Sequence, residues 1–136
     1  MTWPAEVVAD CTGLLPGASQ ATITAVETQL GVRFPEEFVE FLLWADGGQI
    51  AKKRFIIYSA GNGIHPSETL LQANAHTPPD FPLLVVGRES EEEFGFKKTD
   101  LPAPSCPIYF YAHEECCLDR TADSFRNFVE AMFKGA

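Results

Sequence analysis

The chain has 136 residues, and its 10 Lys and Arg against 19 Asp and Glu give a formal net charge of -9. Hydrophobic residues are 46% and charged residues 21% of the sequence, which is ordinary usage for one globular domain. This composition excludes a disordered chain, a collagen-like repeat and a coiled coil. An acidic surface repels phosphate backbones, so nucleic-acid binding is disfavoured, whereas a basic protein partner would be attracted.

The N-terminal residues and the cysteines predict a cytoplasmic protein. Residues 1–6 carry no basic segment, so we expect no secretory signal peptide. No apolar stretch of the sequence reaches the roughly 18 residues of a membrane-spanning helix, and we expect no membrane contact. The cysteines form no Cys-x-x-Cys pair and are expected to be reduced thiols. They are Cys11, Cys106, Cys116 and Cys117.

Helical patterns dominate the first part of the chain. A short helix is expected over residues 4–11. A second helix is expected from Ser19, which is a good N-cap, to about Leu30, and Gly31 is placed to end it.

A third helix is predicted from Pro35 to about Asp46, because proline is favoured in a first helical turn. The pair 47–48 (Gly-Gly) is expected to stop it. Its core stripe has the spacing i, i+3, i+4, i+7 of a helix that buries one face. The stripe consists of Phe38, Phe41, Leu42 and Ala45.

Strand patterns dominate the second part. Runs rich in β-branched and aromatic residues predict strands over 54–58, 83–86, 93–97 and 108–111. Within the third of these runs, phenylalanines at alternate positions indicate a strand that is buried on one face.

Two more helices complete the prediction, a weakly periodic one over 66–75 and a final one capped by Asp123 or Ser124. Helices first and strands joined by short turns favour an α+β fold. We predict one domain over residues 1–136, with a mainly antiparallel sheet of about four to six strands and helices packed on one side. The buried stripe of the last helix is Phe125, Phe128, Val129 and Met132.

Three segments carry a recognisable pattern in their order and spacing. The first reads Leu-Gly-Val-Arg-Phe-Pro-Glu-Glu-Phe over 30–38 and ends in Asp-Gly-Gly at 46–48. The second is Phe-Pro-Leu-Leu-Val-Val-Gly over 81–87. The third is a tyrosine-rich strand with a His-Glu turn over 107–115, followed by Ser-Phe-Arg-Asn-Phe at 124–128. Together, over residues 19–134, they resemble the SUKH superfamily, whose best-known branch is the Smi/Knr type of cell-wall assembly regulator.

The resemblance implies an α+β fold with a mainly antiparallel sheet, and it brings no catalytic residues. Its bacterial members imply immunity proteins that neutralise polymorphic toxins, many of them nucleases. Its fungal members imply signalling scaffolds. The chain departs from the usual pattern in having Asp46 where Asn is frequent, Phe34 where Leu is frequent, and an acidic segment over 88–93 in place of glycines.

Enzyme and metal chemistry are weaker alternatives. Cys116 and Cys117 follow His113 closely, but no known nucleophile signature surrounds them. A structural zinc site needs a second ligand pair at defined spacing, and the sequence contains none. The Gly-Asn-Gly turn at 61–63 lacks the Lys-Ser/Thr of a phosphate-binding loop. We therefore expect no catalytic residues, no metal and no cofactor.

Acidic residues are concentrated at 89–93, at 114–115 and along the helix face 36–40. Each group is either a solvated surface, with helix-dipole stabilisation in the third case, or part of a surface that holds a basic partner. Trp44 lies on the polar flank of the same helix and is either packed internally or an interface anchor. The predicted partner-binding residues are Glu91, Glu92, Glu93, Glu114, Glu115, Trp44 and Glu40.

The sequence thus predicts a non-enzymatic, cytoplasmic protein-binding module, and specifically an immunity protein that neutralises a basic toxin domain such as a nuclease. One alternative is a regulatory or scaffold domain that binds a cellular protein. The other is a hydrolase or transferase that uses His113 with Cys116 or Cys117.

Overall fold

The computed structural model describes residues 14–50, 55–61, 68–75, 77–78, 80–90, 92–101, 103–112 and 117–134. The expected helix over 4–11, the basic run at 52–54, the three histidines, Cys11 and Cys116 lie outside these residues. The side chains of Cys117 and Met132 are likewise outside the description.

The described elements are helices near the start, middle and end of the chain, with short strands between them. None of the described helices is long and apolar enough to cross a membrane. In chain order the helices and strands are β1 (Leu14–Pro16), α1 (Gln20–Leu30), α2 (Glu36–Trp44), β2 (Ala45–Ile50), β3 (Phe55–Ile57), α3 (Leu70–Ala75), β4 (Leu83–Glu89), β5 (Glu92–Lys97), β6 (Ile108–Ala112), β7 (Cys117–Ala122) and α4 (Phe125–Lys134).

The seven strands form one sheet in the order β1-β2-β3-β4-β5-β6-β7. Every neighbouring pair is antiparallel, so each strand pairs with the strands before and after it in sequence. The predicted α+β class with an antiparallel sheet is confirmed. The sheet has slightly more strands than the four to six expected.

Helix α1 begins and ends where its capping residues predict. The Thr22 N–H donates to Ser19 Oγ (3.2 Å), which satisfies one of the amide groups at the start of the helix. Gly31 has the left-handed backbone (φ 71°) typical of a helix C-cap. Ile23 and Val26 are buried, so the helix packs through one stripe.

Helix α2 is shorter than predicted. It ends at Trp44, and Ala45 is already extended (φ -148°, ψ 122°), so the prediction of a helix to about Asp46 was wrong. The backbone leaves the helix because it pairs with β3, where Gly48 lies opposite Ile57. Gly47 has φ +74°, and a side chain there would overlap the Ile57 carbonyl oxygen. The glycines therefore serve a tight strand pairing and do not stop a helix.

Three strands were not predicted at all: β1, β2 and β7. The predicted helix over 66–75 is helical in the described part only from Leu70. Strand β4 continues to Glu89, beyond the apolar run that predicted it. The last helix has its N-terminal cap at Ser124, whose Oγ accepts from the Asn127 N–H (3.1 Å).

Phenylalanines from the sheet and from two helices form the centre of the core. Phe38 of α2 lies 5.6 Å from Phe96 of β5 and 5.1 Å from Phe125 of α4 between ring centroids. Phe94 of β5 lies 4.7 Å from Phe128 of α4. The inclined ring geometries are the favourable ones for aromatic pairs. These contacts place α2 and α4 on the same face of the sheet, here called the helix face, and confirm the predicted phenylalanine stripes.

Candidate functional site

The predicted acidic cluster at 89–93 is divided between two faces of the sheet. Successive residues of a strand point to opposite faces, and Phe94 and Phe96 point to the helices. Glu92 therefore lies on the helix face. Glu93 is paired with Tyr111 on the opposite face. Glu92 and Glu93 were both predicted to bind a partner, and they lie on opposite faces of the sheet.

Glu92 borders a groove on the helix face that is lined by the sheet and by α4. The groove has a volume of about 410 Å³. Three phenyl rings form its apolar part and three carboxylates surround it. We call it the acidic groove, defined by Phe55, Phe110, Phe128, Glu89, Glu92 and Asp119.

Strand register explains why residues from five elements meet in the groove. Glu89 is paired with Glu92 across the β4–β5 hairpin, and Phe55 of β3 is paired with Glu89. Phe110 of β6 is paired with Asp119 of β7. Because paired residues of antiparallel strands share a face, all five side chains point to the helix face.

The apolar part of the groove is held in place by the core. Phe128 is only 4% exposed, and its ring lies 5.9 Å from Phe110 and 6.5 Å from Phe55. Glu92 and Asp119 are exposed and Glu89 is half-buried. The groove thus combines fixed aromatic rings with carboxylates that reach solvent.

The remaining predicted glutamates flank the same end of the sheet in sequence. Strand β6 runs antiparallel to β5, so its last residue, Ala112, lies at the end where β5 begins. Ala112 is paired with Cys117, the first residue of β7. Glu91, Glu114 and Glu115 lie outside the described residues.

Glu40 and Trp44 lie on α2, and no lining residue of the acidic groove comes from that helix. Trp44 is half-buried and packs edge-to-face on Phe41, with ring centroids 5.8 Å apart. Glu40 is also half-buried, and its Oε2 is buried with no hydrogen-bond partner among the residues that the structure describes. The structure therefore separates these two predicted residues from Glu92.

Asp119 belongs to the site but was missed from the sequence. It lies on β7, whose residues Leu-Asp-Arg-Thr were not recognised as a strand. The available signal was the alternation at 118–121, where Asp119 and Thr121 share one face and Leu118 and Arg120 the other.

A second cavity, of about 680 Å³, lies beside the C-terminal half of α1. It carries both signs of charge, with Glu27, Arg33 and Lys98 in its wall. The Glu27 carboxylate already accepts from the Phe34 N–H (2.7 Å) and holds the turn after the helix. This cavity therefore lacks the single sign of charge that characterises the acidic groove.

The described residues carry little sign of nucleophilic or metal chemistry. Cys106 is buried, and burial, followed by the charges of Asp100 and Glu37, raises the pKa of its thiol. A raised thiol pKa lowers the fraction of reactive thiolate at neutral pH. Within the described ranges, no group of three or more His, Cys, Asp or Glu residues is placed to hold a metal ion.

Comparison with known proteins gives a family. The model of the SMI1/KNR4 family (SUKH-1) matches residues 17–131. The matched range covers most of the chain and includes all six residues that define the acidic groove. No curated protein matches the chain.

Proposed function

The chain belongs to the SMI1/KNR4 family (SUKH-1), and on that premise we propose that it is an immunity protein that binds and occludes a basic toxin domain. The family is known for immunity proteins and cell-wall regulators, so membership supports a protein-binding module. We propose that this module is non-enzymatic, since the family is generally non-catalytic.

The observation that carries the proposal is the gathering of carboxylates at one end of the sheet. Glu89, Glu92 and Asp119 surround the acidic groove. The strand ends that flank Glu114 and Glu115 lie at the same end. On a chain with a net charge of -9, such a surface both steers a cationic protein towards the site and selects against acidic partners.

A nuclease toxin is a fitting partner on physical grounds. An enzyme that acts on nucleic acid needs Lys and Arg around its active site to hold phosphates. A carboxylate-rich surface is complementary to that site and would block it without any chemical step. The proposed contact surface consists of Glu89, Glu92 and Asp119 around the groove together with the predicted Glu91, Glu114 and Glu115. Glu93 points to the opposite face of the sheet and is left outside this surface.

Glu40 and Trp44 remain a separate and subordinate part of the proposal. A stable protein interface covers roughly 800 Å² on each partner, so it would extend well beyond a groove with a volume of about 410 Å³. Contacts at Glu40 and Trp44 would belong to the periphery of such an interface. Because Trp44 packs on Phe41, its replacement would also disturb the fold, so it is not a useful test position.

Charge reversal combined with co-expression tests the proposal. The tagged chain is co-expressed with candidate basic toxin domains, beginning with any that is encoded beside its gene, and the Kd of a partner that co-purifies is measured by calorimetry. Because Glu92 and Asp119 are exposed, Glu92→Lys/Asp119→Lys should fold normally and weaken binding by about tenfold or more. The matched control, Glu36→Lys/Asp80→Lys, makes the same charge change at exposed positions outside the groove.

Two results would contradict the proposal. One is the absence of any basic protein in the purified complex. The other is equal binding by the groove variant and its control. If the partner that co-purifies is an ordinary cellular protein and no toxin is encoded nearby, the chain is instead a regulatory or scaffold domain.

A further inference from the structure

We propose that the acidic groove is an anchor site for one arginine side chain of the partner protein. This inference rests on the proposed function, because it assigns the chemical group that the protein-binding surface would recognise.

The size of the groove fits one long side chain. Its volume of about 410 Å³ is near the lower end of ligand pockets, which span roughly 300–1,000 Å³. A partner helix would need a longer trough. A single flexible side chain with its solvent fits the available space.

The carboxylates are arranged on either side of an aromatic ring. Glu92 on β5 and Asp119 on β7 are separated by β6, which contributes Phe110 to the groove. Neighbouring strands are about 4.8 Å apart, so the strands that carry the two carboxylates are roughly 10 Å apart. Phe110 is paired directly with Asp119 on β7 and with Phe94 on β5, and Glu92 comes two residues before Phe94. A planar cation that lies over Phe110 would therefore have Asp119 beside it and Glu92 diagonally across from it on β5.

The aromatic rings and the charges together specify arginine. The methylene groups of its side chain would cover the half-buried Phe55, and its guanidinium would stack on Phe110. The guanidinium has five N–H donors in a plane and is able to pair with two carboxylates at once. Lysine has a strongly hydrated point charge, which suits stacking on a phenyl ring less well.

A direct binding experiment needs no knowledge of the partner. N-acetyl-L-arginine amide is titrated into the ¹⁵N-labelled full chain, and the backbone amide signals of Phe110, Asp119 and Thr121 are followed by NMR. We expect saturable shifts with arginine, shifts of lower affinity with N-acetyl-L-lysine amide, and none with the neutral isostere N-acetyl-L-citrulline amide.

Variants identify which features of the groove bind the probe. Glu92→Gln/Asp119→Asn removes two charges from exposed positions and should weaken arginine binding by about tenfold. The control Glu36→Gln/Asp80→Asn removes the same charge elsewhere and should bind like the wild type. Phe110→Leu keeps an apolar groove without the ring, and should weaken arginine binding more than lysine binding.

The outcomes separate this inference from the proposed function. Absence of saturable shifts, or equal shifts with citrulline, would overturn the arginine site and leave the toxin complex to be tested separately. Retained arginine binding with no basic partner in co-expression would overturn the proposed function alone. Self-association of the wild type that is lost in Glu92→Gln/Asp119→Asn would make a second copy of this chain the occupant and would also overturn the inference.

Discussion

Asp46 is a buried carboxylate whose hydrogen bonds join β2 to the segment that follows β3. Its Oδ1 accepts from the Ala60 N–H (2.6 Å) and its Oδ2 from the Gly61 N–H (2.9 Å). Its backbone carbonyl accepts from Ser59 Oγ (2.6 Å). Hydrogen bonds to an ionised group are stronger than those between neutral groups, and together they offset the cost of burying the charge. Asp46, in the Asp-Gly-Gly segment that contributes to the family resemblance, therefore stabilises the fold.

Tyr58 makes the stability of the protein depend on alkaline pH. Burial raises the pKa of its phenol from 10.0 to about 12, and the charge of Glu93 adds to this effect. The folded chain therefore favours the protonated phenol. Its contribution to stability is complete below the unfolded pKa of about 10 and is lost as the pH rises to about 12.

The prediction for Tyr58 is checked by comparing the wild type with Tyr58→Phe. The phenolate absorbance that is present in the wild type and missing in the variant should appear with a midpoint near pH 12. The free energy of unfolding, measured with urea, should fall less in the variant than in the wild type between about pH 10 and 12. A midpoint near 10 would show that the phenol is not desolvated.

Ser90 is strained at the tip of the β4–β5 hairpin. Its φ of 54° lies in the left-handed region, which costs a residue with a side chain roughly 1–2 kcal/mol. Glycine has no such cost but loses more chain entropy on folding. We expect Ser90→Gly to raise the free energy of unfolding by about 0.5–1 kcal/mol.

Urea denaturation measures this effect, and Ser90→Ala is the matched control. Alanine removes the hydroxyl but retains the strained backbone, so it should bring no stabilisation. Equal stabilities of the glycine and alanine variants would contradict the strain argument. Ser90 directly follows Glu89. The affinity of the glycine variant for a partner therefore also shows whether a more flexible backbone at this position weakens binding.

Elements with a strong local pattern could be predicted from sequence. Helix α1 is defined by Ser19 and Gly31 at its ends, and α4 by Ser124 and its phenylalanine stripe. Strands β4 and β5 follow from an apolar run and from alternating phenylalanines. In each case the propensities of neighbouring residues and the pattern of burial agree.

Elements that depend on distant partners could not be predicted in the same way. The end of α2 is set by the pairing of Gly48 with Ile57 across the sheet, and nothing local shows it. Strand β7 has only a short alternation over 118–121 as a local signal, and its place in the sheet comes from its pairing with β6. The same holds for the candidate site. Glu92 was predicted from the acidic cluster in the sequence, whereas Asp119 lies in the site because β7 pairs with β6.

At the scale of the whole molecule, the antiparallel meander gathers like charges. Consecutive strands lie side by side, so β4 ends and β5 begins at the same end of the sheet at which β6 ends and β7 begins. Asp119 is thereby brought to Glu89 and Glu92, although it lies far from them in sequence. Like charges that are gathered in this way repel one another, and a cationic partner would relieve that repulsion.

This repulsion predicts that salt stabilises the protein. Raising NaCl from about 0.01 M to about 0.1 M shortens the screening length from about 30 Å to about 10 Å. A chain of net charge -9 should then unfold at a temperature a few degrees higher, since about 1 kcal/mol shifts the midpoint of such a domain by roughly 4 °C. Circular dichroism melts at both concentrations measure the change.

The comparison with a neutralised variant identifies the source of the salt effect. Glu92→Gln/Asp119→Asn should show a smaller rise in unfolding temperature, because it carries less of the charge that salt screens. An unfolding temperature that is constant or falls with salt would mean that attractive ion pairs outweigh repulsion in the folded chain. Binding to a basic partner should respond in the opposite direction, weakening over the same range of NaCl. The same charges would then oppose folding and favour association.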